Sequence, residues 1–69
     1  MTIKELYEEA RKSPTPGLVF IREVMTVTQK TEITVRRWIS GEVVPDALTR
    51  SVLARHFNTT PEELFPTRP

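Results

Sequence analysis

Helix-start chemistry recurs along this chain at intervals too short for any long helix. Thr2 and Glu5 fit the capping-box pattern, in which the threonine hydroxyl accepts a first-turn amide and the glutamate reaches back to the cap. Thr15-Pro16 sets a capping residue before a proline, whose missing N–H is harmless at the first helical position. Thr31 and Asp46 are further caps, and Thr60-Pro61-Glu62-Glu63 combines a cap, an N1 proline and a capping-box glutamate. The stops are equally plain. Ser13-Pro14-Thr15-Pro16-Gly17 ends a first helix, Gly41 a third and Asn58 a fourth, the last two as residues that accept a left-handed conformation. These signals predict helices over about residues 2–12, 18–28 and 31–40, a fourth from Asp46 to Asn58, and a short fifth through Leu64-Phe65.

With 69 residues and no cysteine, such helices must share one small core without a disulfide or a thiolate metal site. Residues 1–65 are expected to form a single domain, and residues 66–69 a frayed tail. No apolar run approaches the roughly 18 residues that would span a bilayer, and Met1-Thr2-Ile3-Lys4-Glu5 lacks the order of a signal peptide. A soluble, cytoplasmic protein with no membrane partner is expected. Enzyme chemistry is not expected either. The single histidine, His56, has no second His or Cys to share a metal, and two glycines build no phosphate-cradling loop. Glu62-Glu63 reads as first-turn charge complementing a helix dipole. No cofactor, metal or small-molecule substrate is implied.

Ile3, Leu6, Tyr7 and Ala10 share one face of the first helix. In the second, Leu18, Ile21 and Met25 suit one face, widened by Phe20, Val24 and Val27. Yet Val24-Met25-Thr26-Val27-Thr28 also alternates and is β-branched, so a hairpin of residues 18–28 and 33–39 competes. Its turn, Gln29-Lys30-Thr31-Glu32, has neither Gly nor Asn for positive φ, which favours helices. Leu48, Val52, Leu53 and Phe57 form the expected apolar face of the fourth helix. Val43 and Val44 either tuck beneath it or belong to a dimer surface.

Short helices with a tight third one suggest a helix-turn-helix, whose third helix enters the major groove of double-stranded DNA. Val35, Trp38 and Ile39 recur at the i, i+3, i+4 spacing and define a buried stripe on that helix. On the same helical wheel Ile33, Ser40, Arg37 and Lys30 fall on the half opposite Val35, and Arg36 on its flank, so the outward face is polar and basic. Arginine pairs with guanine O6 and N7, and an isoleucine can touch a thymine methyl. Thr31, Thr34 and helix-start amides suit phosphate oxygens. Lys30 and Arg36 are expected on phosphates, and Arg37 with Gln29, Glu32, Ile33 or Ser40 on bases.

The run Thr34-Val35-Arg36-Arg37-Trp38-Ile39-Ser40-Gly41, with Pro45 four residues later, resembles the recognition-helix end of the lambda-repressor-like (Cro/Xre) helix-turn-helix family. Val52-Leu53-Ala54, Phe57-Asn58 and Thr60-Pro61-Glu62-Glu63-Leu64-Phe65 are similar to its fourth and closing helices, so the match runs over residues 31–65. The resemblance implies a compact five-helix DNA-binding domain. Arg36, Arg37 and residues 29–34 match its DNA-facing positions, and Val35 and Trp38 its core positions. It further implies a transcriptional regulator of phage, plasmid or mobile-element type, a repressor acting as a homodimer on a pseudo-palindromic operator. The chain departs from the family at Phe20-Ile21, Val24-Met25 and Gln29-Lys30, where the usual Thr-Gln, Leu-Ala and Gly with a small apolar residue are missing. Arg50 also stands where an apolar residue is common. A protein-interaction module of antitoxin or antirepressor type on the same fold is the alternative, and an α+β subunit built on the hairpin is a third.

Ten basic and nine acidic residues leave a net charge of +1, too little to announce a polyanion partner. Residues 1–12 and 46–69 each hold three of either sign, so the excess falls in residues 13–45, with Lys30, Arg36 and Arg37. That balance predicts weak non-specific binding and a need for pairing.

Overall fold

Helix α2 (Gly17–Thr28) is the central element, packed against α1 (Ile3–Lys12), α3 (Glu32–Ser40) and α4 (Ala47–His56), while α5 (Pro61–Leu64) closes on α4. The computed structural model describes residues 1–12 and 17–66. Over these residues the chain is all-α with five helices and no strand, so the competing hairpin is not formed. The expected Thr15-Pro16 cap, most of the connector before it and residues 67–69 of the tail lie outside the described residues.

Local chemistry sets the helix ends. Thr2 and Glu5 complete the capping box, with Thr2 N–H donating to Glu5 Oε1 at 2.8 Å and Glu5 N–H to Thr2 Oγ1 at 3.1 Å. Asp46 Oδ1 accepts the Thr49 amide at 2.9 Å. Gly41, at φ 86°, donates to the Trp38 carbonyl while Glu42 N–H reaches Arg37 O at 3.0 Å, the paired bonds of a Schellman ending. Asn58, at φ 59°, repeats the arrangement, donating to Arg55 O while Thr59 N–H reaches Ala54 O at 2.8 Å.

Two expected caps differ in detail. Thr31 occupies the N-cap of α3 in extended backbone, but its hydroxyl pairs with the Thr34 hydroxyl at 3.0 Å and caps no amide. Thr60 caps α5 through the Glu63 amide as expected, yet the Glu63 carboxylate accepts from the Thr59 hydroxyl at 2.8 Å instead of the cap's own N–H.

The core joins Ile3 of α1, Phe20, Ile21 and Val24 of α2, Val35 and Trp38 of α3, Leu53 of α4, and Leu64 with Phe65. Phe20 stacks on Phe57 at 5.5 Å between ring centroids and meets Tyr7 at 6.1 Å. Gly17, read from the sequence as part of a stop, opens α2. A Cβ there would lie 2.8 Å from Arg11 Cγ and 3.0 Å from Tyr7 Cε1, so the missing side chain lets the start of α2 approach α1.

Two apolar faces are corrected. On α4 the expected Leu53 is buried and Phe57 packs on the core, with Ala54 buried beside them, whereas Leu48 is 75% exposed and Val52 is also outside. Arg50 takes up part of the inward side with its Nε shielded from solvent, so α4 has turned away from the expected Leu48–Val52 stripe. On α2, Leu18 is exposed, and the core takes Phe20, Ile21 and Val24. Val43 and Val44 are both exposed and are not tucked beneath α4. No helix among the described residues is long and apolar enough to cross a membrane.

Candidate nucleic-acid interface

Three residues, 29–31, join α2 to α3. The turn lacks the glycine that would ease it, and Gln29 takes the left-handed conformation itself, at φ 61°. Its amide still donates to Met25 O at 2.8 Å, and its side-chain Nε2 donates to Thr26 O at 3.0 Å, so the strained residue is tied to the end of α2 on both sides. One residue at positive φ allows the chain to reverse quickly enough for Val35 and Trp38 to return to the core beside Val24.

That packing fixes what α3 presents outward. With Val35 and Trp38 buried and Ile39 packed on the core, Glu32, Ile33, Arg36, Arg37 and Ser40 are exposed; Ile33 is 60% accessible. Gln29, Lys30 and Thr31 are exposed immediately before them, and Thr34 is half-buried with its hydroxyl on Thr31. Ser40 Oγ donates to Arg37 O at 3.1 Å, which fixes its hydroxyl at the end of the helix. All nine candidate residues therefore border one stretch of surface running from the turn along α3.

Their charges are not equally free. Arg36 Nε donates to Glu32 Oε2 at 2.8 Å, with about half of each side chain exposed. The Glu32 carboxylate, with a smaller contribution from Tyr7, raises the Arg36 guanidinium further above its ordinary value. Arg37 forms no ion pair among the described residues. Lys30 is near enough to Asp46 to help hold that carboxyl below the usual range, although the hydrogen bonds from Thr49 are the larger cause.

One contributor carries no signal in the sequence. Lys4 of α1 lines a shallow groove with Tyr7, Glu8, Arg36, Ile39 and Ser40, so the candidate surface continues from α3 onto α1 with charges of both signs. Its place depends on how α1 packs against α3, and no local spacing holds that information. His56 Nε2 lies 2.6 Å from Glu23 Oε2, bridging α4 to α2 on another part of the molecule. No group of three metal-ligating side chains occurs among the described residues. No protein-family model, curated protein or solved structure matches the chain.

Proposed function

We propose that this chain is a helix-turn-helix domain of lambda-repressor-like type that binds double-stranded DNA in a sequence-specific manner and regulates transcription, as a repressor where its site overlaps a promoter. The observation that carries the reading is the exposed row Ile33, Arg37 and Ser40 on a helix held one three-residue turn from its supporting helix. A helix so presented fits the major groove, where Arg37 pairs with guanine and Ile33 meets a thymine methyl. Lys30, Arg36 and the Thr31 and Thr34 hydroxyls fall where phosphate contacts set the register.

Binding is as a homodimer on two half-sites about one helical turn apart. A single copy offers few cations, and Arg36 and Lys30 are partly offset by Glu32 and Asp46, so useful affinity calls for two. Selection of bound sequences from random duplex DNA tests the reading. The expected product is a pseudo-palindrome, and recovery of unenriched sequence refutes it.

The second reading, an antitoxin- or antirepressor-like adaptor, draws on the exposed Val43, Val44 and Leu48, which suit a protein partner. It predicts a folded chain with no salt-dependent affinity for any duplex.

A further inference from the structure

The outward face of α3 carries its own competitor for DNA. Arg36 is one of the cations assigned to phosphate, yet its Nε is already held by a carboxylate one helical turn earlier, at 2.8 Å. That distance is the length of a charge-assisted bond, and the donor geometry is the one a phosphate oxygen would use. Glu32 sits in the first turn of α3, where the helix dipole favours its charge, so the carboxylate is stabilised at the place where the polyanion would arrive.

We infer that Glu32 acts as an intramolecular stand-in for phosphate, occupying Arg36 in the free protein and on non-specific DNA, and that it releases Arg36 only where a cytosine N4 amine takes over the carboxylate. Cytosine is the base that follows from the chemistry. In the major groove a carboxylate needs a donor, and cytosine N4–H₂ supplies one without an adjacent acceptor on the same base. Guanine presents only acceptors there and repels Glu32, leaving it on Arg36. A correct site is therefore rewarded twice, by the base contact and by a phosphate contact from the freed arginine. A wrong site receives neither. The pair is half exposed and easily opened, as an exchange between partners requires.

This inference rests on the DNA-binding reading, and one experiment separates the two. Wild type, Glu32→Gln, Arg36→Gln and the double variant are titrated against random-sequence duplex over a range of salt, and the first two are also taken through sequence selection. Circular dichroism first establishes that each is folded, which the exposure of both side chains favours. Glu32→Gln is expected to bind random duplex roughly two- to five-fold tighter than wild type. Its log–log salt slope should be steeper by about 0.9 per bound protomer, the contribution of one added phosphate contact. Its selected sites should lose cytosine at the position that wild type enriches. The double variant should show no gain over Arg36→Gln, because the effect passes through Arg36.

Wild-type binding with an unchanged affinity and slope in Glu32→Gln overturns the inference and leaves the DNA reading standing. So does an equal gain in the double variant, which would trace the effect to general charge. Absence of salt-dependent binding by every protein refutes the DNA reading and this inference with it.

Discussion

The rings of Phe20 and Phe57 stack at 5.5 Å with 28° between their planes, and this contact fastens α4 to the central helix. Phe20 is buried and Phe57 only half so, which gives the two positions different sensitivities. Phe20→Ala should cost about 3–5 kcal/mol, as much as a core this small supplies, and abolish a cooperative melt. Phe57→Leu keeps most of the volume and loses the ring contact, so it should cost about 1 kcal/mol. Urea denaturation followed by circular dichroism reads both; equal costs would show that the stack is not where α4 is held.

Trp38 tests the orientation of α3. It is buried beside Val35, so Trp38→Ala should unfold the chain, costing roughly 3–5 kcal/mol, while Trp38→Phe should retain a cooperative transition at a lower midpoint. A near-native melt for Trp38→Ala would put the tryptophan outside and reverse the face assigned to DNA. As the sole tryptophan, Trp38 should also lose its blue-shifted emission when the chain unfolds.

These side chains show which features are legible in the sequence. Helix ends can be read because caps act over three or four residues: Thr2 with Glu5, Asp46 with Thr49, and Gly41 and Asn58 in left-handed backbone. The α3 stripe can be read because Val35, Trp38 and Ile39 leave only one apolar side. The α4 face cannot. Leu48 and Val52 compete with Leu53 and Ala54 for the inside, and the outcome is decided by packing on α2 and α5, which is not local information. Gln29 at positive φ is hidden for a related reason, since intrinsic preference assigns that conformation to Gly or Asn and tertiary packing overrides it here. On the candidate surface, the i,i+4 spacing of Glu32 and Arg36 is visible, whereas the place of Lys4 in the groove it shares with Arg36 depends on how the helices cross.

The strain at Gln29 is itself measurable. Moving a non-glycine residue into the left-handed region costs roughly 1–2 kcal/mol, and glycine removes that cost while returning roughly 0.5–1 kcal/mol of unfolded-chain entropy. Gln29→Gly should therefore stabilise by about 0.5 kcal/mol despite losing the bond from Nε2 to Thr26 O, which is exposed. Gln29→Val should destabilise, since a β-branched side chain tolerates positive φ worst. Urea midpoints ordered Gly, Gln, Val from high to low are expected; Gln above Gly would mean that the side-chain bond outweighs the strain.

Asp46 makes the stability depend on pH. Hydrogen bonds from Thr49 hold its carboxyl below the usual carboxylate range, with Lys30 and Arg50 adding to the effect. A depressed folded-state value means that the charged form contributes stability above the ordinary aspartate range. That contribution is lost as pH falls through the lowered value. The difference in melting temperature between wild type and Asp46→Ala should hence be full near neutrality and shrink as acid is added. A difference that stays constant into the acid range would show that the capping bond does not distinguish the two protonation states.

The two arginines of α3 should contribute unequally to DNA binding, and the inequality follows from their partners. Both side chains are exposed, so Arg36→Ala and Arg37→Ala should each leave the melting temperature nearly unchanged. On random duplex, removal of Arg37, which forms no ion pair among the described residues, should flatten the log–log salt slope by about 0.9 per bound protomer. Arg36, held by Glu32, should contribute less there, so its single variant should have a smaller effect. On the selected sequence Arg36 is released to phosphate while Arg37 is engaged on guanine, so there Arg36→Ala should flatten the slope by about 0.9 per half-site. A slope change of the same size for both single variants on random duplex would show that Arg36 reaches phosphate despite Glu32. If wild type gives no slope on any duplex, the exposed α3 face serves a protein partner instead, and Ile33 and Leu48 become the side chains to mutate next.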